Sequence, residues 1–358
     1  MAARQTTLVQ VAERAGVSLA TASRVLNGGG RRVSAPLRER VLAAATVLGY
    51  RPNASAQALA RNSSNLVGLV VHDIADPYFS SIAAGVTEVA ERAGLVVVLG
   101  TTGRDPERER SLLATLRAHR ARAVVLVGTR VADPVATERL AAEIRAFVAE
   151  GGRVTCVSQA GLPTDTVVPA NRDGATALAR RLTALGHRRF AVLAGPTTLL
   201  TATDRLAAFR AGLAEAGVAL PDDAVVHGEF TRDGGHAAAL ELLSRRTGAT
   251  CVFAVNDVMA VGAVAAFRER GVRVPEDVSV AGFDDIPTLR DLVPALSTVR
   301  LPLTEMGRCA AIMALDEPVG AGRPADHGDE HRTEHRHVPM PAEVVLREST
   351  TAPGAGLP

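Results

Sequence analysis

The chain has 358 residues, 47% of them hydrophobic and 22% charged, and a formal net charge of +2. That is too long for one hydrophobic core and too apolar for a disordered chain, so two or three globular domains are expected. Its three cysteines, Cys156, Cys251 and Cys309, lie far apart with no Cys-x-x-Cys pair, which argues against a disulfide scaffold or a cysteine-built zinc site and fits a reducing compartment. Met1–Gln10 lacks the apolar run of a signal peptide and no apolar stretch reaches about 18 residues, so a soluble, cytoplasmic protein without membrane contact is predicted.

Residues 7–27, TLVQVAERAGVSLATASRVLN, read as two short helices around a tight turn. Thr7 and Gln10 match a reciprocal capping box, and Val11, Ala12 and Ala15 form a small apolar stripe. Gly16-Val17 makes the turn and Ser18 caps the second helix, which turns Val25 and Leu26 inward and carries Leu19, Ala20, Thr21 and Arg24 on its other faces. Two ordinary amphipathic helices would give a similar pattern, and charge decides between the readings. Residues 1–61 hold nine arginines against Glu13 and Glu39, a local charge of +7 that leaves −5 on the remainder. A basic head on an acidic body is the footprint of phosphate contact, and a helix-turn-helix places its second helix in a DNA major groove. Leu19 and Ala20 would discriminate by thymine-methyl contact and shape more than by hydrogen bonds.

Gly28–Gly30 with Arg31 and Arg32 reads as a loop offering two cations to phosphates. Ser34 is placed to cap a third helix with Pro36 in its first turn, Leu37, Val41, Leu42, Ala45 and Leu48 facing inward, and Gly49 at its C-terminal cap. After the break at Tyr50–Asn53, Asn53–Arg61 has the length of two helical turns, too short to be stable alone in water. Leu59 on that segment would either wedge into a minor-groove base step or face its own domain.

From Asn65 onward, short β-rich runs alternate with helical ones. Leu66–Val71, Leu95–Leu99, Ala123–Val127 and Val154–Val157 are predicted strands, with helices at Ser80–Ala93, Glu107–Arg117 and Thr137–Glu150 between them. The pattern restarts with strands Thr166–Val168, Phe190–Ala194, Ala224–His227, Cys251–Ala254 and Val278–Ala281, and helices Ala175–Leu185, Thr203–Ala216, Arg232–Arg246 and Val258–Gly271. Such βαβ series predict an α/β body of two mostly parallel sheets with a cleft between two lobes. Strand Leu296–Val299 and helix Leu303–Ala314 are expected to return to the first lobe, and strand Val338–Leu346 to the second. The resulting domain plan is a DNA-binding head over residues 1–52, a hinge helix and linker over 53–64, a body over 65–350, and a tail over 351–358. Within the body, lobe 1 spans about 65–163 and 294–325, and lobe 2 about 164–293 and 338–350.

Ligands of open α/β sheets sit beyond the carboxyl ends of strands. Asp76, Tyr78 and Phe79 follow the first strand, Thr101 and Thr102 the second, and Gln159 the fourth; Arg205, Phe230, Asn256-Asp257 and Phe283-Asp284-Asp285 follow strands of the second series. Aromatic faces beside carboxylate, amide and guanidinium groups suit a sugar or nucleoside. Helix capping or inter-lobe bonding competes as the role of Asp257 and Asp285, and ordinary loop polarity as that of Thr101, Thr102 and Gln159. His327, His331, His335 and His337 invite a metal, but the Gly-, Pro- and charge-rich stretch Asp316–His337 reads better as a solvated loop. Gly100–Gly103 has no following Lys and is not a phosphate loop. No nucleophile, base and orienter stand together, so neither catalysis nor a cofactor or metal is expected.

The chain resembles the lac-repressor family of bacterial transcription regulators. The stretches TLVQVAERAGVSLATASRVLN, VSAPLRERVLAAATVLGYRPNASAQALA, DPYF, ALGHRRFAVLAGP, DRLAAFRAGLAEAG, AVNDVMAVGAV, VPEDVSVAGFDDIP and LREST occur in that order from Thr7 to Thr350. The resemblance implies a three-helix helix-turn-helix head, a hinge helix, and a periplasmic-binding-protein-like body that senses a small molecule, a sugar or related metabolite, in a homodimeric repressor of a near-palindromic double-stranded operator. It implies DNA contacts by Thr7, Ser18, Leu19, Ala20, Thr21, Ser23, Arg24, Asn27, Arg31, Arg32, Tyr50, Asn53, Ala56 and Leu59. It also implies effector contacts by Arg205, Phe230, Asn256 and Asp284 in particular, beside the strand-end candidates Asp76, Tyr78, Phe79, Thr102 and Gln159. The loop after Asn27 is one residue longer than is common, Gln10 stands where an acid is frequent, and Ser158-Gln159 replaces a frequent acidic–basic pair. No leucine-heptad tail follows Leu346, which favours a dimer over a tetramer. An effector-independent DNA-binding dimer and a sugar-binding receptor are the competing readings.

Overall fold

The computed structural model describes residues 6–27, 33–50, 64–316, 335–354 and 356–357, with Asn27 described by its backbone alone. The expectations placed on the Asn27 side chain, Arg31, Arg32, Asn53, Ala56, Leu59, the 53–61 helix, His327 and His331 lie outside the described residues. The chain divides into a unit ending at Asn65 and a unit from Leu66 onward.

In the first unit, α1 (Leu8–Ala15), α2 (Leu19–Asn27) and α3 (Ala35–Val47) form a helix-turn-helix plus a third helix. The capping box is formed: Thr7 Oγ1 accepts from Gln10 N and the Gln10 carboxamide accepts from Thr7 N. Gly16 ends α1 at φ 60°, a left-handed conformation a Cβ would penalise. A Cβ there would also meet the Arg40 guanidinium, which donates to the carbonyls of Ala15 and Gly16. Ser18 holds the first turn of α2, its hydroxyl accepting from Thr21 N at 3.2 Å. Val11, Ala12, Ala15, Ala22, Val41, Ala44 and Ala45 are the buried core, with Leu8, Val17, Val25, Leu26, Leu48 and Tyr50 packed around it. Two expectations fail here. Ser34 makes no side-chain cap, Pro36 alone marking the start of α3, and Leu42 is exposed because Ala44 and Ala45 occupy the inward arc. Gly49 adopts its left-handed conformation one residue past Leu48, with Tyr50 N returning to Ala45 O.

The second unit is α/β. A six-stranded, all-parallel sheet has the order β11-β5-β4-β3-β1-β2, formed by β1 (Leu66–Val71), β2 (Val96–Thr101), β3 (Ala123–Val127), β4 (Arg153–Val157), β5 (Asp165–Pro169) and β11 (His337–Met340). A four-stranded parallel sheet has the order β7-β6-β8-β9, formed by β6 (Phe190–Ala194), β7 (Val225–His227), β8 (Cys251–Ala254) and β9 (Ser279–Ala281). β10 (Thr298–Arg300) and β12 (Glu343–Val345) make a separate antiparallel pair. Helices α4 (Pro77–Arg92), α5 (Pro106–Ala118), α6 (Pro134–Ala149) and α11 (Leu303–Leu315) belong with the first sheet, and α7 (Asn171–Ala184), α8 (Leu200–Glu215), α9 (Arg232–Ser244) and α10 (Asp257–Glu269) with the second.

Several boundaries differ from expectation for identifiable reasons. Helices α4, α5 and α6 begin one to three residues early because each opens on an Asp-Pro pair. Asp76, Asp105 and Asp133 accept from the first-turn N–H groups, and proline at the first helical position sacrifices no bond. The strand at 165–169, expected to start the second lobe, joins the first sheet instead. Its register begins only two residues back along β4, at Thr155↔Asp165, so a short connection suffices without a crossover helix. The single strand expected at 338–346 is two strands. His337–Met340 extends the first sheet beside β5, Pro341 interrupts, and Glu343–Val345 pairs with β10. Thr298–Arg300 therefore lies in neither large sheet, whereas α11 does return to the first. Gly85 of α4 and Gly307 of α11 allow that helix pair to touch backbone to backbone, since a Cβ on either would sit about 2 Å from a carbonyl oxygen of the other, Thr304 O and Ile82 O.

Candidate functional site

On α2, the first turn after Ser18 presents Leu19 and Ala20 outward, and Leu19 remains 50% exposed although apolar. Arg24 and Thr7 are also exposed, Thr21, Ser23 and Tyr50 partly so. Ala22, Val25 and Leu26 turn inward and hold this face in position against α1 and α3. The outward face thus joins apolar contact area to a guanidinium and hydroxyls.

In the second unit, a cleft lies at the carboxyl ends of the strands of both parallel sheets. Of the nine residues expected there, the structure brings together Asp76, Tyr78, Phe79, Arg205, Phe230, Asn256 and Asp284. Two stand back from it. Thr102 is buried behind the lining, and Gln159 bridges Arg130 N (3.1 Å) and Thr201 Oγ1 (2.7 Å) at the contact between the two sheets' loops. His72, Arg104, Thr129, Ser158, Asn171 and Thr201 line the cleft and were missed. All but Arg104 and Thr201 directly follow, or lie within two residues of, the end of β1, β3, β4 or β5, so the strand-end rule would have found them once those ends were known.

Arg205 is the most constrained of these groups. Its Nε donates to Asn171 Oδ1 (2.9 Å), Nη1 to Val255 O (2.7 Å) and Nη2 to Asp284 Oδ1 (2.7 Å), and its guanidinium lies 3.8 Å from the centre of the Phe283 ring. Burial pushes the Asp284 carboxyl up to about 6, against the pull of Arg205. Asp284 holds φ 120° and Asp285 φ 56°, so backbone strain is concentrated where the cleft wall turns. Asp76 and Asn256 each face the cleft while capping a helix, Asp76 accepting from Tyr78 N and Asn256 from Met259 N. Burial raises the Asp76 carboxyl and the Tyr78 hydroxyl above their usual ranges. Asp257 and Asp285 serve the framework: Asp257 accepts from Thr298 Oγ1 and Ile286 N, and Asp285 pairs with Arg300 and Arg347.

The two sides of the cleft also touch directly. The loop after β3 and the start of α8 meet in an antiparallel bridge, Val131↔Leu199, flanked by Ala132 N→Thr198 O, Leu200 N→Arg130 O and Thr201 N→Thr129 Oγ1. From behind, the Arg130 guanidinium makes a buried two-pronged pair with Glu109, both contacts at 2.8 Å. Among the described residues, no cluster of three or more His, Cys, Asp or Glu is placed to hold a metal ion.

His72 couples three strand ends. Its Nε2–H donates to Thr129 O (3.1 Å), which makes Nδ1 the acceptor from Thr102 Oγ1 (2.8 Å). Burial first, then the Arg130 charge, lower its pKa from 6.5 to about 4. The folded protein therefore favours neutral His72, and the stability this contributes is complete above pH 6.5 and lost as pH falls toward 4. Unfolding free energies from urea titrations across that window should fall by roughly 3 kcal/mol more in the wild type than in His72→Gln. Parallel pH profiles for the two proteins would show that His72 is not the titrating group.

Two family models match the chain: bacterial regulatory proteins of the lacI family over residues 7–53, and a periplasmic binding protein-like domain over 179–350. The HTH-type transcriptional regulator DegA of Bacillus subtilis (strain 168) is 31% identical, the match covering 97% of this chain and 98% of that protein. Among solved structures, a lac repressor dimer bound to operator and the anti-inducer ONPF superposes with a TM-score of 0.81 at 28% identity, covering 98% of this chain and all of that one. A CelR–cellobiose complex, also a transcriptional regulator, superposes with a TM-score of 0.67 at 31% identity, covering 97% of this chain and all of that one. Near-complete coverage at this identity extends the likeness from the three-helix head through both parallel sheets, and the chain belongs to the lacI family of bacterial regulatory proteins, as a helix-turn-helix transcriptional regulator.

Proposed function

We propose that this protein is a cytoplasmic, homodimeric repressor whose grip on a near-palindromic operator is set by a sugar-like effector in the inter-sheet cleft. The observation that carries the reading is the cleft itself: three aromatic side chains, Tyr78, Phe79 and Phe230, stand beside the polar groups of Asp76, Arg205, Asn256 and Asp284 at the ends of two parallel sheets. Stacking surface with fixed donors and acceptors is what a polyhydroxylated ring requires. The lac repressor and CelR structures, solved with ONPF and cellobiose, support a small-molecule effector.

Dimerisation is supported by β2. It is a sheet edge and leaves Val96, Val98 and Leu99 exposed by 53%, 41% and 43%, an apolar strand that a second copy would cover. Two heads would then read half-sites about 34–36 Å apart or a multiple of that. Leu19, Ala20, Thr21 and Arg24 meet base edges, and other arginines of the head hold phosphates. The effector acts by its different affinity for open and closed clefts, a coupling typically worth about 1–3 kcal/mol.

The test is fluorescence anisotropy of the full chain on symmetric promoter fragments, with and without sugars. Affinity should fall on the order of 10³-fold or more between 50 and 200 mM salt. Arg24→Ala should weaken specific binding by about 1–3 kcal/mol. Retention that ignores salt, or specific binding indifferent to Arg24→Ala and to every sugar tried, would refute the reading.

A further inference from the structure

The Arg104 side chain crosses the cleft. It leaves the turn after β2, lines the cavity, donates from Nη2 to Phe230 O at 3.0 Å, and sets its guanidinium carbon 5.7 Å from the centre of the Phe230 ring. Its Nε is one of two buried side-chain nitrogen or oxygen atoms among the described residues that lack a hydrogen-bond partner. Leaving such a donor unpaired costs free energy that a ligand acceptor would recover. The other cleft arginine is better provided: each nitrogen of Arg205 already makes a hydrogen bond, and Asp284 balances its charge.

Arg104 has no carboxylate at ion-pair distance among the described residues, although Asp76, Asp73 and Glu229 lie near enough to act on it. Of the acids lining the cleft, Asp284 is taken by Arg205, and Asp76 has an oxygen committed to Tyr78 N. Desolvation lowers the pKa of Arg104, against the opposing pull of Asp76, Asp73 and Glu229. The backbone is adapted to this placement. Gly103 and Arg104 take φ 62° and 66°, the second unusual for an arginine, and Thr102 Oγ1 pins the turn by accepting Arg104 N at 3.1 Å. The same hydroxyl donates to His72, so the turn that aims Arg104 is tied to the buried histidine.

Resting on the reading of this cleft as the effector site, we propose that Arg104 selects an effector carrying an oxyanion, a carboxylate or a phosphate, on a sugar-sized body. A neutral hydroxyl would satisfy Nε alone; an oxyanion would satisfy Nε and place at ion-pair distance the charge that no carboxylate among the described residues supplies there, against a fork that prefers such groups.

The full-length protein would be titrated by calorimetry with glucose, glucuronate and glucose 6-phosphate, and with ribose and ribose 5-phosphate. At least one acidic member should bind about tenfold or more tightly than its neutral parent, and the carboxylate and phosphate arms identify which oxyanion is read. Arg104→Asn removes the guanidinium with a residue that tolerates the left-handed backbone, so it should fold normally, yet bring the acid-to-neutral ratio to about one. Arg104→Lys should keep only part of the preference. The proposal is overturned if no acidic member binds more tightly than its neutral parent, or if an acid preference persists in Arg104→Asn. Neutral binding that disappears in Arg205→Ala without any acid preference would sink this proposal and leave the effector cleft standing; binding that survives Arg205→Ala would sink both.

Discussion

Arg205→Ala is expected to abolish effector binding and to destabilise the second unit by about 3–5 kcal/mol, because it strands the Asp284 carboxylate in a buried site without its partner. Only 3% of the Arg205 side chain and 7% of the Asp284 side chain is accessible, so water cannot replace the lost bonds. The same substitution unlinks Asn171 at the start of α7 from Val255 after β8, two strand-end segments that the guanidinium now joins. The penalty should shrink as pH falls. A buried carboxyl whose pKa is raised costs least when protonated, so the difference from wild type should be smaller at pH 5 than at pH 8. Denaturation midpoints at both pH values, with calorimetry against whichever ligand the wild type binds, measure both effects. Unchanged midpoints and affinity would remove Arg205 from the centre of the site.

The second large effect is expected from the pair behind the cleft. Arg130→Met should cost about 3–5 kcal/mol by leaving Glu109 buried and alone, whereas Arg130→Met with Glu109→Leu should recover most of that loss. The asymmetry separates an uncompensated charge from lost packing, since both variants lose the arginine. The single variant should also loosen the bridge between Val131 and Leu199, because Arg130 anchors that loop to Glu109 of α5. Thermal melts of the two variants decide the first point, and amide exchange at Leu200 and Ala132 the second. Equal melting temperatures for the single and double variants would mean that the pair carries no electrostatic penalty.

The helices α4, α5 and α6 start ahead of their hydrophobic period because Asp-Pro caps stand in front of it, a signal present in the residues. The placement of 165–169 was not present, since a strand of Asp165–Pro169 is compatible with either sheet and only its two-residue stagger against β4 selects the first. The split at Pro341 was half legible: proline predicts an interruption, but not that the halves pair with different partners. Gln159 carried the right polarity for a ligand contact, and what removed it from the cleft lining is a hydrogen bond to Thr201, forty-two residues away.

Local chemistry therefore sufficed for the capping box at Thr7, the Gly16 turn, the outward face of α2, the alternation that makes an α/β body, and seven of the nine expected cleft residues. These follow from periodicity, caps and strand ends, all properties of neighbouring residues. Which polar groups are already engaged was decided by tertiary contact alone: Arg205 held by Asn171, Val255 and Asp284, Asp257 and Asp285 drawn into the framework, and Arg104 left with a buried donor. A side chain's hydrogen-bonding capacity is written in its chemistry, but whether that capacity remains for a ligand depends on partners that folding brings from distant parts of the chain.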